Sequence, residues 1–181
     1  MSLVYTFLAD SCEEVEALSV VDVLRRAGIE VVMVSVTGNK MITGSHKIKI
    51  EADALYDDVD INKGDMLFLP GGMPGTLTLK AHEGLKNDLL RFNEAGKKLA
   101  AICAAPSVLG ELSLLKGKKA TCYPGFEDKL LGADYTGDKF ETDGNVTTGR
   151  GMGVAVDFGL ELVRVLAGEG KAAEIKESIQ M

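Results

Sequence analysis

Short apolar runs alternate along this chain with longer segments in which apolar residues recur at helical spacing. Residues 4–8 and 30–35 are apolar enough for buried strands. The segment between them begins with the acidic Glu13 and Glu14 and ends at Gly28, as expected for a helix. This pattern predicts a strand, a helix and a second, parallel strand.

The same alternation continues through the rest of the chain. The remaining central strands are predicted over residues 65–69, 98–102, 119–122, 140–142 and 145–148. The remaining helices are predicted over residues 85–95, 107–115, 153–167 and 172–179. Polar and apolar positions alternate over residues 43–50, which predicts an edge hairpin outside the central sheet. We expect a single domain over residues 1–181, a doubly wound α/β sandwich with a mostly parallel central sheet.

Cys103 stands where an apolar strand meets a helix. Residues 98–102 lead directly into it, and Ala104 and Pro106 lead out into the helical segment. A sharp strand-to-helix turn of this kind is a nucleophile elbow, here with a thiol. The amino end of a helix favours a thiolate, so the pattern predicts a lowered pKa and a reactive sulfur. A small, buried, inert cysteine is the alternative.

Two further strand ends belong at the same edge of the sheet, because the carboxyl ends of parallel strands lie together. The first strand leads towards Glu16, and another leads into Gly71 and Gly72. The N–H groups of Gly72 and Ala104 are candidates for an oxyanion hole. Glycine pairs also mark ordinary turns, and the position of Glu16 alone favours a surface charge over a site residue. Glu13 and Glu14 are interpreted as solvated residues favoured by the helix dipole.

Composition narrows the range of partners and compartments. The 181 residues carry a net charge of −7 without a basic cluster, so nucleic acid and anionic membranes are not expected partners. No apolar stretch approaches the roughly 20 residues that span a bilayer, and we expect a cytoplasmic protein. Three cysteines without paired spacing and only two histidines predict neither a disulfide framework nor a metal site. His46 and His82 are interpreted as solvated side chains.

Five segments, in order and spacing, resemble the ThiJ/PfpI superfamily, in particular the branch of the Parkinson-associated protein deglycase and its bacterial relatives. The resemblance covers nearly the whole chain. The segments are residues 13–16 (EEVE), 22–28 (DVLRRAG), 69–72 (LPGG), 100–106 (AAICAAP) and 148–151 (TGRG).

The resemblance implies a flavodoxin-like three-layer sandwich and a role for each matching residue. Cys103 corresponds to an oxidisable nucleophile, and Glu16 to a protonated carboxyl beside it. Gly72 and Ala104 correspond to the oxyanion N–H groups. The resemblance also implies a homodimer with the first helix in its interface. Arg25 and Arg150 correspond to positions at the periphery of the site or near the dimer contact. The resemblance gives them structural or orienting roles.

Three positions depart from the family pattern. Tyr123 stands where close relatives often carry histidine, which argues against a Cys-His pair. Ala104 stands where the protease branch has histidine, so peptidase activity is not expected. His46 aligns with an arginine of some relatives, and a partner subunit could bring it closer to the site.

The expected function is a glyoxalase or deglycase activity that needs no cofactor. Its substrates would be methylglyoxal-like dicarbonyls or their early adducts on proteins, attacked by the Cys103 thiolate. The alternative is a redox-responsive chaperone or oxidative-stress sensor that works through oxidation of the same cysteine. Nothing in these residues supports the thiazole chemistry that older family nomenclature suggests.

Overall fold

A seven-stranded sheet forms the centre of the molecule. The computed structural model describes residues 2–181. In spatial order the strands are β10 (Phe140–Asp143), β11 (Val146–Gly149), β7 (Lys98–Ile102), β6 (Met66–Leu69), β1 (Leu3–Leu8), β2 (Glu30–Ser35) and β5 (Ala54–Leu55). β10 pairs antiparallel to β11, and all the other pairs in this sheet are parallel.

Helices cover both faces of the sheet. They are α1 (Glu14–Arg26), α2 (Gly75–Ala81), α3 (Glu83–Glu94), α4 (Pro106–Glu111), α5 (Ala155–Ala167) and α6 (Glu169–Ser178). One apolar cluster joins the sheet to α1, α5 and α6, and includes Phe68 and Phe158 with ring centroids 6.0 Å apart. A second cluster joins the opposite face to α2, α3 and α4. The expected three-layer α/β sandwich is confirmed.

Two small sheets lie outside the central one. β3 (Met41–Thr43) and β4 (Lys49–Glu51) form the predicted hairpin. β8 (Lys119–Ala120) pairs with β9 (Asp134–Tyr135), so the strand predicted over 119–122 is shorter and does not join the central sheet. In the part of the chain that the structure describes, no helix has the length and apolar character needed to cross a membrane.

Two helix predictions need correction. α2 was missed because it is only seven residues long, too short for a helical period to stand out, although its Leu79 is fully buried. The helix predicted over 107–115 ends at Glu111, because the chain turns away at Ser113, whose φ is +59°. Neither difference changes the sheet order, in which β1, β6 and β7 are neighbours and bring their carboxyl ends together.

Candidate active site

Cys103 forms a sharp elbow between β7 and α4. Its N–H donates to the carbonyl of Gly149 and its carbonyl accepts from the N–H of Tyr123, both at 2.9 Å. Its φ of +66° lies in the left-handed region, an unfavourable conformation for a residue with a Cβ. The thiol is partly exposed, whereas Cys12 and Cys122 are 1% and 0% exposed. Cys103 is therefore the most accessible of the three thiols.

Glu16 reaches this elbow from the first turn of α1. The carboxylate of Glu13 caps that helix by accepting the N–H of Glu16 at 2.7 Å. The Glu16 side chain is fully buried, and its Oε2 accepts the N–H of Gly71 at 2.9 Å. Its Oε1 is buried without a hydrogen-bond partner among residues 2–181. The backbone therefore fixes one of the two carboxyl oxygens.

The glycine pair lets the backbone pass close to both groups. A Cβ at Gly71 would lie 2.6 Å from both the Cys103 Cβ and the Glu16 Oε2, and 3.0 Å from the sulfur. A Cβ at Gly72 would overlap the backbone of residues 11–13, and its φ is +96°. Hydrogen bonding from the N–H groups of Ala104 and Gly72 acts to lower the pKa of the Cys103 thiol. Both predicted oxyanion donors therefore belong to the surroundings of this thiol.

Burial raises the pKa of Glu16 to about 7, helped by the nearby charge of Glu13 and opposed by hydrogen bonds with Cys103 and Gly71. At pH values below about 7 this carboxyl holds its proton, although an ordinary glutamate is ionised there. The site therefore keeps a proton donor beside the sulfur.

The lowered pKa predicted for Cys103 is wrong in direction. Burial, then the charge of Glu16 and the hydrogen bond with its carboxylate, raise the pKa of Cys103 to about 12, against the N–H groups of Ala104 and Gly72. Two of these three raising causes exist only while Glu16 is ionised. The thiol and the carboxyl thus titrate as a pair. When the carboxyl is protonated, burial still raises the pKa of the thiol, and the N–H groups of Ala104 and Gly72 still lower it.

Glu14 is buried rather than solvated, which corrects the interpretation from sequence. It is 2% exposed and lies under the turn of the β3–β4 hairpin. Its Oε1 accepts the N–H of His46 at 2.7 Å, and its Oε2 lies 2.9 Å from the His46 Nδ1. A Cβ at Gly44 would overlap this carboxylate. Glu14 therefore fastens the hairpin to the start of α1. The sequence does not indicate this role, because acidic residues at the start of a helix are already explained by the helix dipole.

The other sequence-predicted residues fall into two groups. Arg150 and Tyr123 lie beside the elbow, and Tyr123 is 52% exposed. Arg25 does not belong to the site, because it ties the end of α1 to the carbonyl of Val31 and to Asp53. His46 is held by Glu14 through both its backbone N–H and its ring.

His82 has a structural role. It caps α3 by accepting the N–H of Leu85 at Nδ1, at 3.0 Å, and packs edge-on against Tyr56. Carboxylate and imidazole ligand atoms of Glu13, Glu14 and His46 lie within 4.8 Å of one another. Because both Glu14 oxygens already accept hydrogen bonds, the hairpin contact accounts for this cluster.

The Glu14 contact predicts a specific loss of stability in acid. Burial tends to raise the pKa of Glu14, but hydrogen bonds from the His46 side chain and from backbone N–H groups overcome it and lower the pKa to about 2. Since the folded pKa is below the usual 4.5, the stabilisation is present above about pH 4.5 and is lost as the pH falls towards 2. Glu14→Gln should remove about 1–2 kcal/mol of this pH dependence, allowing for the exposure of His46.

Urea unfolding of the native chain and of Glu14→Gln between pH 2.5 and 6 measures this difference. Glu94→Gln, at an exposed position at the end of α3, is the control and should follow the native curve. Parallel curves for the native chain and Glu14→Gln would show that the contact stabilises nothing.

Comparison with known proteins agrees with this architecture. The DJ-1/PfpI family model matches residues 2–165. DJ-1 homolog B of Arabidopsis thaliana is 39% identical over 96% of this chain, which spans about two fifths of that relative's length. The dj-1beta protein of Drosophila melanogaster is 38% identical over 95% of this chain and 93% of its own length.

Among solved structures, oxidized DJ-1 of Toxoplasma gondii superposes with a TM-score of 0.95 at 34% identity, covering 99% of this chain and 98% of that one. Crystalline DJ-1beta of Drosophila melanogaster gives a TM-score of 0.93 at 34% identity, covering 99% and 98%. The matched family model, the sequence relatives and the shared fold all extend over the elbow and its neighbours. This chain belongs to the DJ-1/PfpI family.

Proposed function

We propose that this protein converts methylglyoxal-like dicarbonyl compounds to 2-hydroxy acids, without a cofactor, through Cys103 and Glu16. The main support is that the partly exposed Cys103 lies beside the fully buried carboxyl of Glu16. The Oε1 of this carboxyl has no hydrogen-bond partner within residues 2–181. A thiol and a proton donor side by side are what addition to an aldehyde requires.

In the first step the Cys103 thiol gives its proton to the ionised Glu16 carboxylate, and the resulting thiolate adds to the aldehyde carbon and forms a hemithioacetal. The carbonyl electron pair moves to oxygen, and the N–H groups of Gly72 and Ala104 stabilise the oxyanion. Glu16 then transfers its proton to that oxygen and becomes a carboxylate. Because the buried carboxylate is poorly solvated, it is a stronger base than an exposed glutamate.

In the second step Glu16 takes the proton from the former aldehyde carbon and returns it to the neighbouring ketone carbon through an enediol. The former aldehyde carbon is thereby oxidised to a thioester, and the ketone is reduced to an alcohol. Water hydrolyses the thioester, releasing the 2-hydroxy acid and regenerating the thiol. No external oxidant or reductant is consumed.

The same first step applies to early adducts of a dicarbonyl on protein amines or thiols, because these adducts still release or present the carbonyl carbon. Ala104, in place of a histidine after the nucleophile, supports this chemistry over peptide hydrolysis. The homodimer expected from the resemblance stays a prediction. Val15 and Leu18, 44% and 37% exposed on α1, are apolar residues that such a contact would cover.

Replacement of either member of the pair should abolish turnover. In the absence of glutathione, Cys103→Ser should reduce methylglyoxal conversion to lactate to background, because the covalent intermediate cannot form. Glu16→Gln should lower kcat by about 10²–10⁴-fold, the usual contribution of a positioned acid and base. Progress curves on freshly reduced protein measure both effects.

Cys122→Ala is the matched control, because Cys122 is fully buried and should contribute nothing to turnover. Circular dichroism of each variant checks that the fold is retained. Full conversion by Cys103→Ser would refute the mechanism, and an inactive native enzyme would refute the proposed function.

An oxidation sensor is the second candidate, favoured by the partly exposed Cys103 and by the N–H groups of Gly72 and Ala104, which act to lower the pKa of its thiol. Peroxide would oxidise the thiolate to a sulfenate with release of water, and a second equivalent would give a sulfinate. The Gly72 and Ala104 N–H groups and the Glu16 proton would hold the new oxygens.

Peptide mass spectrometry after mild peroxide treatment tests this second function. One sulfinate at Cys103 is expected, with Cys12 and Cys122 unmodified because both are buried. Glu16→Gln is the informative variant, since its amide donates a weaker hydrogen bond and should slow accumulation of the sulfinate. Oxidation spread evenly over the three cysteines would refute the sensor function.

A further inference from the structure

A surface cleft of about 710 Å³ adjoins the Cys103 elbow. Its lining residues are Tyr123, Pro124, Lys139, Arg150, Gly151, Met152, Gly153 and Val154. Two of these eight residues are cationic and none is acidic, although the chain as a whole has a net charge of −7. The residues that line the cleft therefore carry a net positive charge, on a protein that is acidic overall.

Both cations have hydrogen-bonding capacity to spare. Nη1 of Arg150 donates to the carbonyl of Gly137 at 3.2 Å, and no carboxylate lies within 4.0 Å of its guanidinium among residues 2–181. Nζ of Lys139 is 3.5 Å from Asp157 Oδ2, a loose contact of a side chain that is 67% exposed. A guanidinium has five N–H donors, so Arg150 can bind a carboxylate or phosphate oxygen pair.

The cleft lies next to the backbone that holds the reacting groups. Gly149, which precedes Arg150, accepts the N–H of Cys103 at 2.9 Å. At Gly151 a Cβ would lie 3.3 Å from the Tyr123 ring and 3.9 Å from the unpartnered Oε1 of Glu16. Gly151 in the cleft lining therefore lies beside both Tyr123 and the buried carboxyl of Glu16.

The cleft walls suit a short carbon chain between a carbonyl and an anion. Tyr123 and Met152 are 52% and 53% exposed and present apolar surface to the cleft. We infer that Arg150 and Lys139 form an anion subsite, and that the preferred substrates are dicarbonyls carrying a carboxylate or phosphate. This inference rests on the proposed function and specifies its substrate class.

Steady-state kinetics with 4,5-dioxopentanoate and its methyl ester tests the subsite, because the two compounds share the reacting dicarbonyl and differ in charge. The native protein should favour the acid over the ester in kcat/KM by about tenfold, as expected for one charge-assisted hydrogen bond. Lys139→Gln/Arg150→Gln should reduce that ratio to about one, mainly through KM. Lys171→Gln, a distant cation on α6, should keep the native ratio.

An equal ratio in the native protein and the double variant would overturn the subsite while leaving methylglyoxal turnover, and hence the proposed function, intact. The phosphate form is tested with 3-phosphooxy-2-oxopropanal in the same series, which decides between the two anions.

Binding of the unreactive 4-oxopentanoate, measured by calorimetry at low salt, separates the subsite from catalysis. The native protein should bind it, and the double variant should lose at least about tenfold in affinity. If the native protein turns over no dicarbonyl, the proposed function fails, and this binding difference alone decides the subsite. Equal binding by both proteins would overturn it.

Discussion

The burial of the Glu16 carboxyl beside a partly exposed thiol is the constraint on which the rest of the site depends. A fully buried carboxyl with one backbone donor is poorly compensated as an anion, so its pKa rises to about 7. It can then give a proton to an oxyanion and take one from carbon at neutral pH. The same burial ties its charge to that of Cys103, so neither group ionises independently.

The fold holds this pair with backbone rather than side-chain contacts. The carboxyl ends of β1, β6 and β7 bring the start of α1, the glycine pair and the elbow together. Glu13 N–H donates to the Gly71 carbonyl at 2.9 Å, while Gly71 N–H donates to Glu16, so this glycine is bound from both sides. The Glu14 contact with the hairpin fixes the same end of α1 from outside. Small displacements of α1 are therefore opposed on two sides.

The sequence predicts those parts of the molecule that depend on local pattern. β2, with its uninterrupted apolar run, occupies the predicted residues, and the elbow at Cys103 follows from a strand meeting a helix. The interpretation of Glu14 as a solvated residue is wrong because its partners are the N–H groups of a hairpin turn about thirty residues away. No local sequence pattern encodes such a contact. The lowered pKa predicted for Cys103 is wrong for a related reason. The effect of the helix end is visible in the sequence, whereas burial and the Glu16 charge, which raise the pKa, arise only on folding.

The protonation of Glu16 in the native protein is the measurement that tests this account most directly. Carbon-13 NMR of labelled glutamate carboxyls, assigned with Glu16→Gln, would follow it through a pH titration. We expect a Glu16 carboxyl that is still protonated at about pH 6 and titrates near 7, well above the ordinary value. A Glu16 resonance already ionised by about pH 5 would contradict the idea that this site stores a proton beside its nucleophile.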